Sequence, residues 1–219
     1  LFPGHLIAED RRHPKNVFVC NQCGHLQEVN DRKLPGHCSE CKTSIDSQFK
    51  AARGKCACTR CGKVNHFPNP TLGAPKHRLF AMEYFCSACK PRHEGRFFKK
   101  PDEHDLDILA EVREKWGKTK PKFVPNDKVP PGDESDRLHR WGYNFYREMF
   151  GERQLLGLEE SCRLIASVSD QKIREALATN LSDLLRYQNM LCRYDTMALK
   201  SLDIFSVHGF PVGLVHCES

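Results

Sequence analysis

The sequence predicts a small zinc-stapled α+β chain, two consecutive zinc ribbons followed by a helical subdomain. Three observations carry this. Eight of the 12 cysteines fall in four C-x-x-C pairs within the first 90 residues. Apolar residues before about residue 133 come in short bursts between Gly, Pro, Lys and Cys, too sparse to offset chain entropy without a staple. From residue 134 the texture changes to long runs with helical spacing.

The pairs are Cys20/Cys23, Cys38/Cys41, Cys58/Cys61 and Cys86/Cys89, with 14, 16 and 24 residues between successive pairs. A C-x-x-C turn lets two thiolates bite one tetrahedral ion, and two such turns complete an S4 shell. A single pair also suits redox chemistry, but four in close succession point to metal. Gly24 and Gly62 directly follow the first and third pairs, where positive φ turns backbone N–H groups toward sulfur. The second and fourth pairs, CSECK and CSACK, lack that glycine. The order therefore repeats, which favours Cys20, Cys23, Cys38 and Cys41 around one zinc and Cys58, Cys61, Cys86 and Cys89 around another. Cross-bracing of first with third is the alternative, and iron fits the same S4 geometry.

Residues 1–50 are assigned to the first ribbon, with Phe18, Val19, Leu26 and Val29 flanking its knuckle as hairpin strands. Residues 51–100 form the second ribbon, where Arg78–Phe85 alternates like a strand. Cys56 reads as a spare thiol, and His25, His37, His66 and His77 as surface histidines, since eight sulfurs already fill two shells. Cys162, Cys192 and Cys217 read as small packing residues.

Residues 101–133 hold a helix over Asp102–Trp116 and a Pro/Lys-rich connector, Lys118–Gly132, that must run extended. In residues 134–219 helices are expected from Asp133 or Ser135 to about Phe150, over Glu152–Ser167 and over Asp170–Arg193, with a terminal strand in Pro211–Cys217.

Net charge is +6, but residues 50–100 alone carry 12 basic against 2 acidic side chains. Such a block on a metal-stapled module favours a polyanion, with a merely solvated surface as the bland alternative. Lys63, Lys76, Arg78, Arg96, Lys99 and Lys100 are its candidate phosphate contacts. Arg137, Arg140, Arg147 and Arg153, interleaved with Trp141, Tyr143 and Tyr146, form a second candidate cluster. Equally, Trp141 and Phe145 can face the core while the arginines pair with Glu148 and Glu152. No apolar run approaches the length of a membrane span. No secretory leader is evident, so paired cysteines as metal ligands imply a cytoplasmic protein. A first residue of Leu1 suggests a piece of something longer.

The strings KHRLFAMEYFCSACK, GRFFKKPDEHDL, VPNDKVPPGDESDRLHRWGY and YREMFGERQLLGL, with the tail from LCRYD to FPVGLVHCES, resemble the zinc-ribbon-containing adenine-specific DNA methylases. The resemblance covers about Cys58 to the C-terminus. It implies an insert between the family's cofactor-binding and catalytic motifs, with DNA and the remaining methyltransferase segments as partners. S-adenosylmethionine would then belong to the parent enzyme alone. The chain has no Gly-rich loop after a strand and no Asp/Asn-Pro-Pro-aromatic run, so no residue here is assigned catalysis.

Overall fold

The computed structural model describes residues 5–8, 16–20, 22–31, 36–45, 54–58, 61–90 and 93–218. They fall into two compact units. The first comprises residues 1–68, 78–103 and 195–200, the second residues 69–77, 104–194 and 201–219.

The first unit is built from short antiparallel ladders. Strands β1 (His5–Ala8), β2 (Asn16–Val19) and β3 (Leu26–Val29) form a three-stranded sheet in that order. In the β2–β3 hairpin Asn16 opposes Val29 and Val19 opposes Leu26, so the first knuckle is the hairpin's turn. All four β2 residues are buried. Strands β4 (Lys55–Ala57) and β5 (Val64–His66) enclose the third knuckle in the same way. Strands β6 (Met82–Phe85) and β7 (Arg96–Lys99) enclose the fourth pair. The strand expected over Arg78–Phe85 thus forms only over its last four residues. Two-stranded ribbons of this length are marginal in water on their own.

The second unit carries the helices α1 (Glu103–Lys118), α2 (Asp136–Arg140), α3 (Glu152–Ala166) and α4 (Gln171–Leu184). A short ladder pairs β8 (Tyr194–Asp195) with β9 (Lys200–Ser201). Its core is Val129, Leu138, Tyr143, Met149, Leu191 and Val212, with Ala74, Trp141, Phe150, Ile204 and Phe210 packed against it. Asp170 caps α4 by accepting from the Ile173 amide at 3.0 Å, the role expected of Asp at that position.

Three expectations need correction. The single helix from about residue 133 to Phe150 is instead α2 plus a separate 3-10 turn at Tyr146–Met149. Gly142, at φ +86°, stops α2, with Gly142 N donating to His139 O and Tyr143 N to Leu138 O, a Schellman closure. The helix expected to reach Arg193 ends at Leu184. There buried Asn189 folds the chain back, its Nδ2 donating to Leu185 O at 2.9 Å and its Oδ1 accepting from Leu191 N at 2.9 Å. The terminal strand does not form; Cys217 N donates to Cys192 O without a ladder.

The connector is free of helix as expected, but it is not loose. Buried Glu159 of α3 accepts from three successive amides, Lys122 N at 2.8 Å and Phe123 N and Val124 N at 3.0 Å each. Burial alone would raise this carboxyl's pKa; the three amides outweigh burial and hold it below the usual range. No helix among the described residues is long and apolar enough to cross a membrane.

Candidate metal centre

Cys20, Cys23, Cys38 and Cys41 converge with all four sulfurs within 4.8 Å of one another. Cys20 Sγ lies 3.8 Å from Cys41 Sγ, and Cys23 Sγ lies 3.7 Å from Cys38 Sγ. The edge of a tetrahedron with Zn–S bonds of about 2.3 Å is about 3.8 Å. The donor set and its spacing therefore fit a tetrahedral thiophilic ion, zinc first. First and second pairs share this centre, so cross-bracing of first with third does not occur here.

Backbone geometry places the sulfurs. Cys20 N donates to His25 O, and Gly24 N to Cys20 O, both at 2.8 Å. Cys38 N with Thr43 O and Lys42 N with Cys38 O repeat the pattern at 2.9 and 3.1 Å, and Cys58 N with Lys63 O and Gly62 N with Cys58 O repeat it again at 2.8 Å each. The residue after the second cysteine takes positive φ in all three: Gly24 at 74°, Lys42 at 60° and Gly62 at 71°. Absence of glycine from the second pair is therefore no sign of a different turn. Lys42 adopts the left-handed conformation that glycine adopts freely, at a steric cost the site sustains.

In these turns amides face sulfur. Those of Gln22 and Cys23 point to Cys20, that of His25 to Cys23, and that of Thr43 to Cys41. Burial nevertheless pushes the Cys20 thiol up and that of Cys23 up to about 12, whereas the Thr43 hydroxyl and amide draw Cys41 down to about 6. Four sulfurs this close cannot all ionise on their own. A divalent ion, when bound, supplies the positive charge that holds all four as thiolates.

Among the described residues, buried Ile45 is the aliphatic residue clustered with the four cysteines. Two supporting side chains carry no signal in the sequence. Gln27 of β3 accepts at Oε1 from Ser39 N at 2.9 Å and Ser39 Oγ at 3.3 Å, gripping the second knuckle. Lys100 lays its stem 3.4 Å from the Cβ position of Gly24 and donates through Nζ to Cys23 O at 2.8 Å. Gln27 and Ser39 are 12 residues apart in the chain, and only the fold brings them together.

Among the described residues no second group of this kind is drawn together. The fourth pair also turns differently: Ser87–Cys89 forms a 3-10 turn after extended Cys86, Lys90 is right-handed at φ −49°, and the left-handed residues are Glu94 and Gly95. Cys61 is exposed, and Cys58, Cys86 and Cys89 are half-buried. Cys56 is half-buried in β4, its Sγ 3.7 Å from Ala57 O. Cys192 is buried, with Cys162 and Cys217 partly so.

Of the expected surface histidines, His37 and His66 are exposed and His25 is half-buried; His77 is not exposed either. Its ring meets His216 edge-on at 5.4 Å, and burial holds both rings below the ordinary histidine range, His216 at about 4.

The candidate phosphate contacts are scattered. Lys63, Lys76 and Arg78 are exposed. Arg96 pairs with Glu83 at 2.9 Å, Lys99 with Asp102 at 3.1 Å, and Lys100 braces the first knuckle as above. Arg137 donates to Val212 O at 2.9 Å, Arg153 pairs with Glu218 at 3.1 Å, Arg147 lies over the Phe145 ring at 5.8 Å, and Arg140 is exposed. Trp141 and Tyr143 serve the core, but Glu148 accepts from the Asn144 and Phe145 amides rather than from an arginine.

Comparison with known proteins returns no match: no family model fits the sequence, and neither a curated protein nor a solved structure aligns with the chain. Its class accordingly rests on the site, a four-cysteine centre fit for a metal ion on short antiparallel ribbons.

Proposed function

We propose that this chain is the DNA-binding, target-recognition region of an adenine-specific DNA methyltransferase of restriction-modification or phage-defence type, held by two structural zinc ions. The first would sit in Cys20, Cys23, Cys38 and Cys41, the second in Cys58, Cys61, Cys86 and Cys89. The methyltransferase assignment rests on the sequence resemblance alone.

DNA binding is supported chiefly by where the charge lies. The unit that holds the four-cysteine centre carries 18 Lys and Arg against 11 Asp and Glu, a net +7; the other carries 16 against 17, a net −1. A concentration of positive charge in one unit, with the other near neutral, suits phosphate attraction by the first.

A titration of duplex DNA against salt tests this. Affinity should fall on a log–log plot with a slope of about −0.9 per neutralised phosphate. Absence of binding to duplex and single strands alike at low salt would sink it. Metal analysis should return two zincs per chain, and one after C58S/C61S; a single zinc in the wild type removes the second site.

One observation favours a protein-interaction scaffold instead. Leu106 and Ile108 on α1 and Ile173, Leu177 and Leu184 on α4 are exposed, and neither helix buries a single residue. Such stripes suit a partner protein. Capture of protein partners by a chain that ignores DNA would establish that reading.

A further inference from the structure

The β6–β7 hairpin presents aromatic rings outward. In its register Met82 opposes Lys99, Glu83 Phe98, Tyr84 Phe97 and Phe85 Arg96. Side chains alternate between the two faces of a strand. Met82, Tyr84, Phe97 and Lys99 therefore share one face. On it the Tyr84 ring stacks on Phe97, centroids 5.7 Å apart and planes 28° from parallel. No residue of β6 is buried, and Tyr84 is 45% exposed.

A cross-strand aromatic pair steadies a hairpin, which accounts for the stacking. It does not account for leaving a large aromatic residue this exposed. The charge around it is the second observation. Lys99 shares the face, and its ion pair with the largely exposed Asp102 is of the weak surface kind. Arg78 and Lys90 are exposed in the same unit, and the unit as a whole is strongly positive. A flat π-surface with an ammonium group on the same face, in a positively charged unit, is a combination that suits the nucleotides of a strand: rings for bases, the ammonium for a phosphate. In a duplex the base faces are occupied by their neighbours, so this surface matches an unpaired strand.

We propose that the Tyr84–Phe97 face of the β6–β7 hairpin is a stacking platform for the bases of a single DNA strand, with Lys99 meeting its phosphates. This rests on the DNA-binding reading above and narrows it to one face and one strand state. An apolar peptide would have no use for the cations, and a second copy of this chain would set like charges against each other.

The test uses the full zinc-loaded chain, with fluorescence anisotropy of labelled oligo(dT) and of a mixed-sequence duplex of equal length across a salt series. Tyr84→Ala should weaken oligo(dT) binding about 5- to 150-fold, the range for loss of one stacked base. The salt slope should stay unchanged, because stacking releases no counterions, whereas Lys99→Ala should flatten it by about 0.7. Tyr84→Phe should retain affinity. Tyr84→Trp reports contact directly: its emission, above that of Trp116 and Trp141, should be quenched by oligo(dT).

If Tyr84→Ala keeps full oligo(dT) affinity, or the Tyr84→Trp emission is unmoved at saturation, the platform is refuted while DNA binding stands. If the wild type binds neither DNA form at low salt, both fall together. If sedimentation shows instead that Tyr84→Ala dissociates a dimer, the face is a self-contact and the proposal is overturned.

Discussion

Gln27 Oε1 accepts two hydrogen bonds from Ser39, from its amide at 2.9 Å and its hydroxyl at 3.3 Å, so a strand of the first hairpin fixes the turn that carries Cys38 and Cys41. Gln27 touches no sulfur. It orients a loop whose two thiols supply half of the metal shell. Supporting contacts of this kind are worth about 10- to 100-fold in metal affinity. Gln27→Ala should therefore weaken zinc binding by about tenfold or more, read by competition with a chromophoric chelator. An unchanged affinity would show the second knuckle to be self-supporting.

Removal of metal should unfold the first ribbon as a unit. Among the described residues, the buried ones clustered at the centre are Cys20, Cys38 and Ile45, with Cys23 and Cys41 packed against them, and zinc binding in small peptides is worth about 10–16 kcal/mol. Chelation, or Cys38→Ser, should collapse the amide dispersion of residues 16–45 in a heteronuclear NMR spectrum while the resonances of α3 and α4 persist. A ribbon that kept its dispersion without metal would contradict this.

Glu159 makes a separate prediction for the second unit. Its carboxylate replaces three backbone partnerships that the Pro-rich connector cannot make within itself. Glu159→Ala leaves three amides without their acceptor and should cost about 1.5–3 kcal/mol, with Glu159→Gln costing less because one carbonyl oxygen remains. Chemical denaturation followed by circular dichroism measures both. Equal losses would mean that the charge, not the oxygens, is what the amides need.

Acid should weaken the same unit. His216 donates through Nε2 to Gly213 O at 2.8 Å and is held neutral mainly by burial, with His77 adding to the effect and the Gly213 carbonyl opposing it. His77 is likewise depressed by burial, against the attraction of Glu152. A folded-state pKa below the unfolded value means that the unfolded chain binds more protons. The stabilisation is therefore complete above about 6.5 and is lost as pH falls toward about 4. The expected slope is at most about 1.4 kcal/mol per pH unit for each histidine. Thermal melts between neutral pH and pH 4 should fall less steeply in His216→Asn than in wild type, and parallel curves would refute the assignment.

Gly142 tests the correction to the helix boundary. A Cβ there would lie 2.3 Å from the Gly73 carbonyl oxygen, on a backbone already at φ +86°. Gly142→Ala should destabilise by more than the usual cost of about 1 kcal/mol for left-handed alanine. If α2 merely lengthened without loss, the tight approach to Gly73 would be dispensable.

Several features were legible in the chain because they depend on neighbours in sequence. The C-x-x-C pairs and the helices starting at Glu152 and just after Asp170 depend on near neighbours, where residue type and spacing determine what the backbone does. The first hairpin follows for the same reason, since Val19 and Leu26 bracket a knuckle of fixed size. Pairing of Cys20 and Cys23 with Cys38 and Cys41, rather than with the third pair, was open in the sequence and closed by the sulfur distances. Local pattern misled where a distant group intruded. The run from Asp133 to Phe150 has helical spacing, yet Gly73 presses against Gly142, and burial of Tyr143 requires the chain to turn there. Likewise Gln27, Lys100, Glu159 and the histidine pair became meaningful only when segments far apart in the chain met, because a hydrogen bond or a desolvated ring is a property of the place where two segments touch. Sequence determined which residues can hold a metal; tertiary structure decided which sulfurs share one and what holds their loops in position.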